Sequence, residues 1–79
     1  MFLEILTPDK KLFSGEINLI QVPGSKGSFE VLKNHAPIIS TLEKGTIKII
    51  TPDNQKQFID IEEGLIEVKK NKIIVLAET

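Results

Sequence analysis

Val22-Pro-Gly-Ser-Lys-Gly-Ser-Phe-Glu-Val-Leu-Lys-Asn-His-Ala-Pro37 holds two forced reversals with one short apolar segment between them. Pro23 fixes its own φ near −65° and has no N–H to donate, while Gly24 and Gly27 have the freedom to take the positive φ that a tight turn demands. Pro37 pushes Ala36 toward extended geometry, so His35 falls on a bend just before a new strand. Residues 29–32 are therefore a strand bounded by turns, too short for a helix.

The same rhythm runs outward in both directions. Residues 2–6 read as a strand closed by Thr7-Pro8-Asp9, Leu12-Phe13 as a short apolar step broken by Ser14-Gly15, and residues 16–22 as a half-exposed strand with Ile17, Ile20 and Val22 among polar neighbours. Toward the C-terminus, residues 38–42 follow the His-Ala-Pro bend. Lys44-Gly45 turns into the alternating Thr46-Ile-Lys-Ile-Ile50, and Thr51-Pro-Asp-Asn54 leads into residues 57–61, where Ile59 and Ile61 share a face. Glu62-Glu63-Gly64 turns once more, and residues 65–68 pair through Lys70-Asn71 with residues 73–76. Turn signals every eight to ten residues or so are the spacing of an all-β sandwich or barrel, and no segment requires a helix.

Seventy-nine residues make a single domain. A chain of this size buries only about 60% of the surface its unfolded form exposes, so stability is modest and permanent partners help. Ten Lys stand against eleven Asp and Glu, with no Arg, Trp or Tyr. The best bidentate phosphate and guanine reader and two of the base-stacking side chains are missing, so nucleic acid is not an expected partner. Without cysteine there is neither a disulfide nor a thiolate metal site. No apolar run approaches the roughly 20 residues of a membrane span, and Glu4 interrupts the N-terminal apolar stretch, so neither direct membrane insertion nor a leader is expected.

Catalytic chemistry finds few residues to use. His35 is the lone imidazole, which excludes a His-rich zinc site and leaves Ser28 or Ser40 as the only triad partners; a loop histidine bonded to backbone near Pro37 is the reading favoured. Glu62 and Glu63 read as a solvated turn. Gly24-Ser-Lys-Gly27 lacks the loop length and the following helix of a phosphate cradle, so no nucleotide is expected there. A lipoyl- or biotinyl-type carrier domain has about this size, but its modified lysine is flanked by Asp and Ala or by methionines, whereas Lys69 and Lys70 lie in Val68-Lys-Lys-Asn-Lys72. A free-standing carrier or binding module of that kind is the alternative function.

Across its whole length the chain resembles the epsilon subunit of F-type ATP synthases. The resemblance rests on Phe13-Ser-Gly-Glu16, Val22-Pro-Gly24 with Gly27 and Leu32, His35-Ala-Pro37, Lys44-Gly45, Gly64 with Glu67-Val68, and Val75-Leu-Ala-Glu-Thr79, in this order and spacing. It implies that residues 1–79 form an epsilon-type N-terminal domain, a flattened β sandwich of two roughly five-stranded sheets. It further implies a non-catalytic rotor subunit of a bacterial enzyme that couples ion flow to ATP synthesis at the cytoplasmic face of the inner membrane, with no cofactor. Ser25, Lys26, Gly27 and Ser28 would touch the c-ring, and Thr7, His35 and Ser40 the gamma subunit. Lys33-Asn34 stands where many relatives carry Pro-Gly, and Asn accepts positive φ, so the bend is expected to survive. The usual member continues into two C-terminal helices; with the chain ending at Thr79, the expectation is coupling without helix-borne inhibition and without bound ATP.

Overall fold

The computed structural model describes all 79 residues, Met1–Thr79. Nine strands form in chain order: β1 Phe2–Leu6, β2 Lys11–Glu16, β3 Leu19–Val22, β4 Phe29–Leu32, β5 Ile38–Leu42, β6 Gly45–Ile50, β7 Lys56–Ile61, β8 Glu63–Lys69 and β9 Lys72–Glu78. They assemble into a five-stranded sheet, β2-β1-β9-β8-β5, and a four-stranded sheet, β4-β3-β6-β7. The second sheet is one strand smaller than expected. All pairings are antiparallel except β1 with β9, which run parallel with Leu3 opposite Ile73 and Leu6 opposite Leu76. The molecule measures 27 × 23 × 18 Å.

Period-two alternation explains the sandwich. Leu3 and Ile5, Ile66 and Val68, and Ile73, Val75 and Ala77 point inward from the larger sheet; Ile20, Val22, Val31, Ile47, Ile49 and Ile61 point inward from the smaller. Together with Ile17 and Leu42 they make one buried cluster of 15 apolar residues, with no buried polar side chain. Nearly all are β-branched, and such side chains keep little χ1 freedom to lose when packed on a pleated surface.

Two boundaries differ from the sequence reading. Gly15 does not break a strand: it pairs with Leu3 inside β2, and an added Cβ would approach nothing nearer than the Phe13 ring at 3.8 Å. The break falls instead at Ile17-Asn18, where the chain leaves one sheet for the other. Ile17 is buried there, its N–H donates to the Met1 carbonyl at 2.9 Å, and the Asn18 N–H donates to the Ile50 carbonyl at 2.7 Å. The last of the four crossings between the sheets, from β7 to β8, needs only Glu62, whose N–H donates to the Glu78 carbonyl at 2.7 Å. Gly64 is already in the sheet, opposite Ala77 and Leu42.

Candidate functional site

The β3–β4 loop, residues 23–28, projects from one end of the sandwich with Ser25, Lys26, Gly27 and Ser28 all exposed. Its base is tied to β5. The Ser25 N–H donates to the Thr41 carbonyl at 3.0 Å, the Glu43 N–H donates to the Pro23 carbonyl at 2.9 Å, and Gly24 bridges to Leu42. Side chains add the Thr41 hydroxyl donating to Ser25 Oγ at 2.9 Å and Gln21 Nε2 donating to Ser28 Oγ at 3.1 Å. The turn itself closes with the Gly27 N–H on the Gly24 carbonyl at 2.9 Å.

The two glycines are needed for different reasons. Gly27 has φ +126°, which L side chains rarely adopt, and nothing within 4 Å of where a Cβ would stand. Gly24, expected to share that conformation, does not have a positive φ. It is buried, and a Cβ there would meet the Gly27 carbonyl at 2.7 Å and the Phe29 ring at 2.8 Å.

The residues implied as gamma contacts do not form one cluster. Thr7 lies at the tip end of the larger sheet and lines, with Ser25 and Thr41, an open groove of 720 Å³ whose apolar wall is Leu6, Leu65 and Leu76. Its hydroxyl is occupied in its own turn, accepting from the Lys10 N–H at 3.1 Å and donating to the Lys10 carbonyl at 3.0 Å. Ser40 is half-buried on β5, bordering a second hollow beneath the tip, and donates to the Thr41 carbonyl at 3.1 Å. His35 is at the opposite end, grouped with Lys70 and Asn71 beside the β8–β9 turn. Its Nδ1 lies 2.7 Å from the Ala36 carbonyl, which can only accept, so Nδ1 carries the proton. Asn34 has φ 69° and shapes that bend.

Charge is divided between the same two ends. At the far end Lys69 and Lys72 sit directly opposite each other, near Lys70 and His35; at the tip end Glu63 faces Glu78, with Glu62 beside it in sequence and Glu43 following Leu42, the partner of Gly64. Like charges opposed across a strand pair cost stability, which makes them a property of the surface and not of the fold. Lys44 relieves the acidic end in part, 3.8 Å from Glu62.

The apolar wall of the tip-side groove was missed in the sequence, although a signal existed. Leu65-Ile66 is a consecutive apolar pair in β8, and Ile73-Ile-Val-Leu-Ala77 is an unbroken apolar run in β9; since successive residues face opposite sides of a strand, part of each must face outward. Ile66 and Val75 are buried; Leu65 is 36% and Leu76 49% exposed, and register places them side by side, with Leu6 next in the row.

Residues 1–79 match the family described as the ATP synthase delta/epsilon chain β-sandwich domain. The chain is 43% identical over 76 residues to the ATP synthase epsilon chain of Chlorobaculum tepidum, covering 96% of this chain and 86% of that one. Against the epsilon chain of Campylobacter hominis it is 40% identical over 78 residues, covering 98% of this chain and 60% of the relative. Its fold is similar to a chain of the Euglena gracilis mitochondrial ATP synthase OSCP/F1/c-ring structure, with TM-score 0.91 at 18% identity, over 98% of this chain and 49% of that one. A chain of the Tetrahymena thermophila central stalk and c-ring structure gives TM-score 0.84 at 16% identity, over 100% and 63%.

Proposed function

The chain belongs to the ATP synthase delta/epsilon β-sandwich family, and from that membership we propose that it serves as a central-stalk subunit of ATP synthase, joining the gamma subunit to the c-ring. The observation that carries the coupling role is the exposed 25–28 tip on a hydrogen-bonded base. A contact that passes rotation must resist bending, and this loop is fastened to β5 and the residue after it by two backbone bonds and a hydroxyl pair. Membership of this family removes the reason for a lipoyl- or biotinyl-type carrier.

Ser25, Lys26, Gly27 and Ser28 are the residues offered to the polar loops of the ring, and Thr7, His35 and Ser40 those offered to gamma. Because Thr7 and His35 stand at opposite ends, one gamma helix must run the length of the domain to reach both. Spanning 27 Å takes about 18 helical residues at 1.5 Å each. The chain is taken as non-catalytic, since its single imidazole is committed to holding its own loop. It works at the cytoplasmic face of the bacterial inner membrane, held there by the complex.

Titrating purified gamma with the chain and its Ser40→Arg variant tests the gamma side. A bulky charge at a central contact costs on the order of 2 kcal/mol or more of binding; unchanged affinity would place gamma on another face. Gly27→Val tests the ring side. It adds about 1–3 kcal/mol of local strain at φ +126°, and the assembled enzyme is expected to hydrolyse ATP while pumping fewer ions per ATP. Unaltered pumping would mean that the tip is not a coupling contact.

A further inference from the structure

A sandwich has four sheet edges, and three of them here are blocked. β2 carries a register shift opposite Ile5 and Leu6. β4 is only four residues long. β5 is preceded by Pro37 and already receives the Ser25 N–H and the Gly24 bridge. Short, bulged, Pro-flanked or covered edges are the usual protections against strand addition. The fourth edge, β7, has none of these and is guarded only by the charges of Lys56 and Asp60: it is six residues long, contains no Pro, and pairs with β6 in unbroken register from Gly45 opposite Ile61 to Ile50 opposite Lys56.

The free groups on that edge can be identified. The Thr51 N–H donates to the Gln55 carbonyl at 3.0 Å, in line with the β6–β7 register, while the Ile50 carbonyl accepts from Asn18 on the other side. Because bonded and non-bonded pairs alternate in an antiparallel ladder, Gln57, Ile59 and Ile61 bond to β6, leaving the backbone N–H and C=O of Lys56, Phe58 and Asp60 facing open solvent. None of the hydrogen bonds outside the strands uses those backbone groups. The side chains of the same three residues share the outer face, with Phe58 63% exposed.

We infer that β7 is a self-complementary edge that pairs antiparallel with β7 of a second copy of this chain, about a twofold axis through Phe58. That register sets Phe58 against Phe58 and Lys56 against Asp60, twice. All six free backbone groups of each strand then find partners, and both charge pairs are of opposite sign. A parallel register would oppose Lys to Lys and Asp to Asp. Asp60 accepts from the Thr46 hydroxyl through Oδ1 at 2.7 Å, leaving Oδ2 for the incoming lysine. The paired edge turns two four-stranded sheets into one of eight strands. It leaves the tip and the far end of the larger sheet uncovered, so this inference does not depend on the rotor assignment.

A single strand pair belongs to the weak class of interfaces, below about 1,200 Å², so association is measured by sedimentation equilibrium up to roughly 1 mM protein. The wild-type chain is expected to pass from monomer to dimer across that range. Lys56→Asp and Asp60→Lys, each of which opposes like charges, are expected to weaken dimerisation at least tenfold, and an equimolar mixture of the two to restore it. In the wild type, amide exchange at Lys56, Phe58 and Asp60 is expected to slow with rising concentration, a readout that needs no variant. A chain that stays monomeric throughout, single variants that dimerise as the wild type does, a mixture that fails to pair, or exchange at the three amides independent of concentration would each overturn the inference.

Discussion

Gly24 and Gly27 stand three residues apart in one turn, and alanine at each meets a different obstacle. At Gly24 the added carbon has no place to go, because one neighbour at 2.7 Å is the backbone carbonyl of Gly27 itself. At Gly27 the space is free and the cost is conformational, on the order of 1–2 kcal/mol for a residue held at positive φ. Urea unfolding is expected to show Gly24→Ala losing more stability than Gly27→Ala, with chemical shifts disturbed as far as Phe29 and Thr41 in the first and only within the turn in the second. Equal losses would mean that the turn relaxes around Gly24. Sequence composition marks both positions as glycine-dependent, but it carries no information about which is crowded and which is strained. Asn34 is the opposite case, since the amide side chain alone signals the positive φ found there.

Strands read well one at a time and poorly in company. The alternation of residues 46–50 identifies β6 and its inward Ile47 and Ile49 correctly, because a period of two determines which side chains share a face. It does not say which strand lies alongside. The parallel union of β1 with β9, the placement of Gly15 within a pair, and the tie from Ser25 to Thr41 all depend on contacts between segments far apart in sequence. The candidate site divides in the same way: the tip is legible as a turn, while its pinned base and the leucine row beside it emerge only once β5, β8 and β9 are aligned. Within β5 the two faces can be separated by experiment. Leu42→Ala, at 3% exposure, is expected to cost about 2–5 kcal/mol, whereas Ile39→Thr, at 68% exposure, is expected to remain within about 0.5 kcal/mol of wild type. Denaturant midpoints of the two variants measure the contrast, and similar losses would show that β5 is packed on both sides.

For the whole molecule, a nine-stranded sandwich with one apolar cluster and no helix is expected to unfold in a single cooperative transition. Three of its seven strand pairings, β1 with β9, β3 with β6 and β5 with β8, join segments distant in sequence, so stopped-flow refolding is expected on the millisecond-to-second scale typical of all-β folds. Microsecond folding would imply that one hairpin nucleates the rest without the β1–β9 union. That union also governs the order of events at the ribosome. β1 can pair with β2 as soon as both emerge, but the larger sheet cannot close until β9 is inserted between β1 and β8. At about 5–20 residues per second, the interval between Leu6 and Glu78 lasts on the order of several seconds. Throughout that interval the nascent chain carries an N-terminal hairpin whose apolar side, Leu3 and Ile5, has no core to enter. The ninth strand is the one that shelters the first, so β9 must be made before the apolar side of β1 is protected from proteases or from neighbouring nascent chains.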